Sequence, residues 1–122
     1  MVAVDIVYLG RALQLHNVLV DTGSAGTVFS ADCMASVGLH YDPSDRVHRI
    51  RGVGGAEFVF TKQLDSLSVD VLIARDFEIE IGAMDYGFLV DGIVGTDFLL
   101  RVGAIVDLGK LEIGASLERI QT

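Results

Sequence analysis

The sequence has a single cysteine, a single proline and no tryptophan, and its nine Lys and Arg face 17 Asp and Glu. Each shortage excludes something. One thiol, Cys33, cannot close an intrachain disulfide, so the fold has to be held by its apolar core. A lone cysteine also fits a reducing, cytoplasmic setting. The net charge of −8 and a pI near 4.6 argue against a nucleic-acid partner, because neutralising a phosphate backbone takes clustered Lys and Arg. No apolar run reaches transmembrane length, so no membrane contact is expected from this chain itself. The opening MVAVDIVYLGRALQLHN carries Asp5 and Arg11 inside its apolar stretches and has no basic region ahead of a continuous apolar core, which is not the pattern of a signal peptide. The three histidines, His16, His40 and His48, lie far apart without ligand spacing, so no metal site and no cofactor are expected.

What remains is a globular composition: 51% hydrophobic residues, 21% charged residues and 14 glycines in a chain of 122. That length predicts one domain over 1–122, since a second would leave neither half enough core. Period-two alternation predicts strands over VAVDIVYL (2–9) and ALQLHNVLV (12–20), joined by a turn at Gly10 and Arg11. A short β-prone stretch from Thr27 to Phe29 leads to Ser30, which can cap a small helix through ADCMASV that stops at Gly38. HYDPSDR reads as loop. VHRIRGVGGAEFVFTKQL predicts a long hairpin with a glycine tip, and LSVDVLIARDFEIEIGAM predicts two further strands. Near the end, an apolar strand from Gly92 to Val94 precedes a small helix from Thr96 to Val102, and two closing strands follow. The expected fold class is mainly β, a closed or partly closed barrel with two short helices.

The informative stretch is VLVDTGSAGTVFS, 18–30, in which the apolar run Val18, Leu19 and Val20 ends on Asp21. A carboxylate at the edge of a core is costly unless something requires it. Asp followed by Thr, Gly and Ser is also ordinary turn chemistry, so the motif alone decides nothing. Two other segments decide it: the glycine-tipped hairpin IRGVGGAEF at 50–58 and the apolar segment DGIVGTDFL at 91–99. Taken in order, LVDTGS, IRGVGGAEF and DGIVGTDFL resemble the catalytic loop, the flap and the supporting strand and helix of retropepsin-like aspartic proteases. The resemblance covers nearly the whole chain. The small helix after the Asp21 loop is similar to the protease domain of DNA-damage-inducible proteins and their bacterial relatives.

The resemblance implies an acid-protease barrel with a flap hairpin, and an aspartic endopeptidase acting on polypeptide. Hydrolysing a peptide without a metal or covalent intermediate takes one group to accept a proton from water and another to polarise the carbonyl. Two carboxylates sharing one proton do both. This chain carries a single Asp-Thr-Gly, so the second carboxylate has to come from a second copy, and a homodimer with Asp21 from each subunit is required. By the same resemblance Thr22 hydrogen-bonds across the twofold axis, Gly23 lets its N–H approach the carboxylate, and Ser24 adds a supporting hydrogen bond. Arg51, Gly52, Val53, Gly54 and Gly55 form the flap and bind substrate. Ile93, Val94 and Gly95 pack beneath the loop and line side-chain pockets.

One departure stands out. Viral members carry an acid after the catalytic triplet and an Arg after the supporting glycine, paired near the dimer interface, whereas this chain reads Ala25, Gly26, Thr27 and Gly95, Thr96, Asp97. Dimer contacts would then come from the terminal strands. The alternative reading is a retropepsin-like fold kept as a non-catalytic dimerisation or peptide-binding module. Asp97 reads as a helix cap, Asp91 as a solvated loop acid and Cys33 as core packing. The tip at 52–55 lacks the Lys and Ser or Thr of a phosphate-binding loop.

Overall fold

The alternating apolar residues of the N-terminal segment form a hairpin of β1 (Val2–Tyr8) and β2 (Arg11–Val20). Its turn is centred on Leu9 and Gly10, one residue earlier than the composition suggests. Both residues have positive φ, 47° and 80°, the two-residue geometry whose twist matches the flanking strands. The register shifts between Val2↔Val18 and Val4↔Leu15, so β2 carries a bulge. That extra residue re-phases the strand. Leu15 and Val18, three positions apart, both reach the core, where strict alternation would have sent Asn17 inward.

The computed structural model describes residues 1–52, 55–84, 90–107 and 112–115. Strand β3 (Val28–Ser30) runs directly into helix α1 (Ala31–Ala35). Ser30 occupies the cap position without a side-chain cap bond. The far end follows the glycine signal: Gly38, at φ +77°, donates to Ala35 O, and Leu39 donates to Met34 O. This double closure sets buried Leu39 beside buried Met34. In the loop that follows, the Ser44 N–H and hydroxyl both bond Asp42 and hold its carboxyl below the usual range.

Strands β4 (Val47–Gly52) and β5 (Gly55–Val69) make the glycine-tipped hairpin, and β6 (Leu72–Gly82) returns along β5. The sequence suggested separate strands on either side of Ser66. The structure instead joins them into one strand of 15 residues, whose inward-facing set changes phase between Leu64 and Leu67. Val71, expected within a strand, lies in the β5–β6 turn beside Asp70 at φ 54°, and is exposed. Lys62 on β5 reaches Asp45 at 2.9 Å. Burial alone would lower the Lys62 pKa, but the Asp45 hydrogen bond and nearby negative charge hold it above its ordinary value. The pair ties the 40–46 loop to the sheet.

Strand β7 (Gly92–Val94) and helix α2 (Thr96–Arg101) follow, then a hairpin of β8 (Ala104–Asp107) and β9 (Glu112–Ala115). The sheet order is β1, β2, β7, β3, β6, β5, β4, and an added β1–β5 pairing closes six of these strands into a barrel with β4 outside it. Closure thus joins the first strand to the fifth. The two C-terminal strands pair only with each other among the described residues. The barrel is filled by Val4, Ile6, Phe29, Leu67, Ile79, Ile81, Val94 and Phe98, all nearly inaccessible, and Phe98 meets Phe77 edge-on with ring centroids 5.7 Å apart. No helix among the described residues is long and apolar enough to cross a membrane.

Candidate active site

Strand β7 is short, yet it organises the site. It lies parallel to β2, with Val20 opposite Val94, and antiparallel to β3, with Val28 opposite Ile93. The strand entering the 21–27 loop and the strand leaving it are therefore held apart by a third, and the loop has to pass over its end. Asp21 continues the β2–β7 ladder by one bond, its N–H donating to Val94 O at 3.0 Å. The half-buried carboxylate is aimed from within the loop, because Oδ1 accepts from the Gly23 N–H at 2.9 Å. A Cβ on Gly23 would sit 3.2 Å from that oxygen, so glycine leaves the N–H room to approach. Thr22, Gly23 and Ala25 are exposed on this single chain.

Below the carboxylate the loop is locked to the start of α2. Ser24 O accepts from Thr96 N at 2.8 Å and from the Thr96 hydroxyl at 3.3 Å, and Asp97 N donates to Ala25 O. The Ser24 hydroxyl donates to Gly26 O at 2.7 Å. The positions at which the resemblance would place an acid and an Arg are thus used for backbone contacts inside one chain. The approach requires glycine at 95, where a Cβ would come within 2.3 Å of Gly26 O and 2.7 Å of Ser24 O.

Thr27 and Asp97 form the central brace. The fully buried Thr27 hydroxyl donates to Asp97 Oδ1 at 2.7 Å and accepts from Gly95 N at 3.1 Å, while Thr27 N donates to Asp97 Oδ2 at 3.2 Å. Asp97 was expected as a helix cap. The cap position belongs to Gly95, and apart from a bond from Phe98 N the Asp97 carboxylate serves Thr27. Sequence reading did not single out Thr27, and its only local signal is a polar residue opening a β-prone stretch. Replacing Thr27 with the near-isosteric Val takes one of three hydrogen bonds from the Asp97 carboxylate and leaves the Gly95 N–H without its partner, which should cost about 2 kcal/mol of stability. Urea unfolding of Thr27→Val against wild type measures this.

Ile93 is half-buried and packs with Leu19 against Val28, Met84 and Val90, whereas Val94 is fully buried in the main core. Val94 O accepts the Asp21 N–H, so β7 ends directly against the loop. Asp91 departs from its expected role as a solvated acid. Its backbone accepts from Ser30 N and donates to Asn17 O, and Oδ1 accepts from the Cys33 thiol at 3.4 Å. Cys33 packs against the main core as expected but is half-buried, and burial, reinforced by Asp91, pushes its thiol up, so the sulfur also serves as a hydrogen-bond donor near the start of α1.

The hairpin keeps regular register to its end, with Arg51 opposite Ala56 and Gly52 opposite Gly55, while Val53 and Gly54 lie outside the described residues. Its root is bridged to β6 by two side-chain pairs, Arg46 with Glu78 and His48 with Glu80. Glu80 sits against the loop as well: its N–H donates to Thr27 O at 2.9 Å, and a Cβ on Gly26 would meet its Oε1 at 2.7 Å. No sequence pattern pointed to Glu80, since it is one polar position in an alternating strand.

A family model described as aspartyl protease matches residues 8–98, from the end of β1 into α2, and so takes in the Asp21 loop, the hairpin and β7. A comparison with curated proteins finds no match.

Proposed function

Because the chain belongs to the aspartyl protease family, we propose that it is an aspartic endopeptidase in which Asp21 from each of two subunits forms the catalytic pair. The observation that carries this reading is the half-buried Asp21 carboxylate, directed by the Gly23 N–H and rising from a loop whose Thr22, Gly23 and Ala25 are solvent-facing in the single chain. A loop braced this firmly from below but open above suits a surface that a second copy covers. With a twofold axis between two Asp21 side chains, one carboxylate would be ionised and the other protonated, because two adjacent carboxylates do not both ionise cheaply. The ionised one takes a proton from water as the oxygen attacks the scissile carbonyl carbon, while the protonated one donates to the carbonyl oxygen. Collapse of the resulting diol then returns a proton to the departing amine nitrogen.

Thr22 would steady the pair across the axis, and Ser24 would stiffen the loop below it. The hairpin carrying Arg51, Gly52, Val53, Gly54 and Gly55 would close over an extended peptide, its backbone amides meeting substrate carbonyls and excluding water. Ile93, Val94 and Gly95 would support the loop, with Ile93 facing the apolar side chains of the substrate.

The second reading, a peptide-binding or dimerisation module without hydrolysis, draws on Asp97 being committed to Thr27 within its own chain, which leaves no acid and Arg to tie the interface near the loop. Digestion of a peptide library by wild type and Asp21→Ala in parallel, read by mass spectrometry, separates the two. Cleavage between apolar residues that is absent in the variant is expected, and identical cleavage maps would end the protease reading.

A further inference from the structure

We propose that Glu80 is a positioning residue: paired with His48, its carboxylate holds the root of the glycine-tipped hairpin at a set distance above the Asp21 loop. The inference rests on the reading of that hairpin as the lid of a peptidase. Its basis is that three elements meet at one side chain. The Glu80 backbone belongs to the barrel wall, flanked by Ile79 and Ile81 at 1% and 0% exposure, with β6 paired to β3 at Val28↔Glu80. One carboxylate oxygen lies against Gly26, where any side chain would displace it, and the other pairs with the His48 imidazole on β4.

Strand β4 needs such a strut. Among the described residues it ends the sheet order and is bonded to β5 on one edge, so its angle to the barrel rests on that single ladder and on side-chain links. The His48–Glu80 link spans β5 and joins β4 to β6, two strands away. It is also the better shielded of the two bridges. The His48 and Glu80 side chains are 46% and 19% exposed, whereas Arg46 and Glu78 are 73% and 54% exposed and more fully screened by water. A hairpin released from the strut would spend less time over the loop. A substrate that needs the closed form would then bind more weakly in proportion, while saturating substrate would still draw the hairpin shut.

Two measurements test this on the full chain. Amide exchange at Thr61, whose N–H donates to Arg46 O at the hairpin root, reports the strut without any need for activity. Peptide cleavage reports KM and kcat separately. Glu80→Gln and His48→Ala should exchange about fivefold faster at Thr61 and raise KM about fivefold with kcat within about twofold. His48→Lys, which puts a nitrogen donor opposite the carboxylate, should restore both, and Glu78→Gln should leave KM near wild type. Should Glu80→Gln fail to fold, His48→Ala, at the more exposed end, carries the test. Unchanged exchange, or faster exchange with unchanged KM, overturns the proposal. A wild type that cleaves no peptide would sink the peptidase reading, and the exchange at Thr61 would then decide the strut alone.

Discussion

Equal amounts of wild-type and Asp21→Asn chains, unfolded together and reassembled at random, should retain about a quarter of wild-type peptide cleavage. Asparagine keeps the shape of the carboxylate and an oxygen to accept the Gly23 N–H, so the loop should survive the change. What it lacks is the ability to take a proton from water. The pure variant should lose roughly 10²- to 10⁴-fold in rate, the usual cost of removing a group that transfers a proton in the transition state. In the mixture, half the dimers would be hybrids with one carboxylate each. If the two share one site, hybrids are inert and only the wild-type pairs act. If each chain worked by itself, about half the activity would remain, falling linearly with mutant fraction. Sedimentation of the same samples establishes that the species assayed is a dimer, and the assay has to be run well above the dissociation constant. A linear fall, or cleavage by a strict monomer, would exclude the shared pair.

The largest expected loss of stability is that of Gly95→Ala. Backbone conformation does not forbid alanine there, since φ is −98° and ψ −172°, ordinary extended geometry. Space does. The added methyl would stand 2.3 Å from Gly26 O, 2.7 Å from Gly26 C and 2.7 Å from Ser24 O, all backbone atoms with no rotamer to change. Relief requires the Asp21 loop to lift from α2, which breaks the Thr96 N to Ser24 O bond and stretches the Gly95 N to Thr27 hydroxyl bond. Overpacking usually costs 1–3 kcal/mol, and with lost hydrogen bonds added the change should reach about 4 kcal/mol. That is a large fraction of what a chain of this size has to spare. Denaturant midpoints of wild type and variant check the expectation, and a shift worth under about 0.5 kcal/mol would show that the loop and α2 are not in the contact described.

Much of this was legible from the order of residues. Alternation located β1, β2 and β6, Gly38 located the end of α1, and Gly52 with Gly55 located the hairpin end, because each depends on a few neighbouring residues and on local backbone sterics. The Asp21, hairpin and Ile93, Val94, Gly95 segments were legible as a set, since their residue types and their order along the chain are themselves sequence facts. Where local reading failed, the reason was either turn geometry, as at Leu9 and Val71, or a contact with another part of the chain. The bulge in β2 swaps which of Asn17 and Val18 faces the core, and alternation alone cannot register it. Asp97 at a helix start looks like a cap until Thr27 is brought to it, and Glu80 looks like any solvent-facing strand residue until His48 and Gly26 arrive on either side.

By itself, then, the sequence determined most of the elements, the family motifs and the residue on which the proposed chemistry turns. These follow from short-range propensity, hydrophobic period and residue type. Only the tertiary structure decided that β1 closes the barrel on β5, that β7 lies between β2 and β3 under the loop, and that Gly95, Thr27 and Asp97 lock the loop from below. Those pairings join residues tens of positions apart. They are selected by the free energy of burying one shared core and satisfying the polar groups it encloses, a sum over the whole chain that no single stretch records.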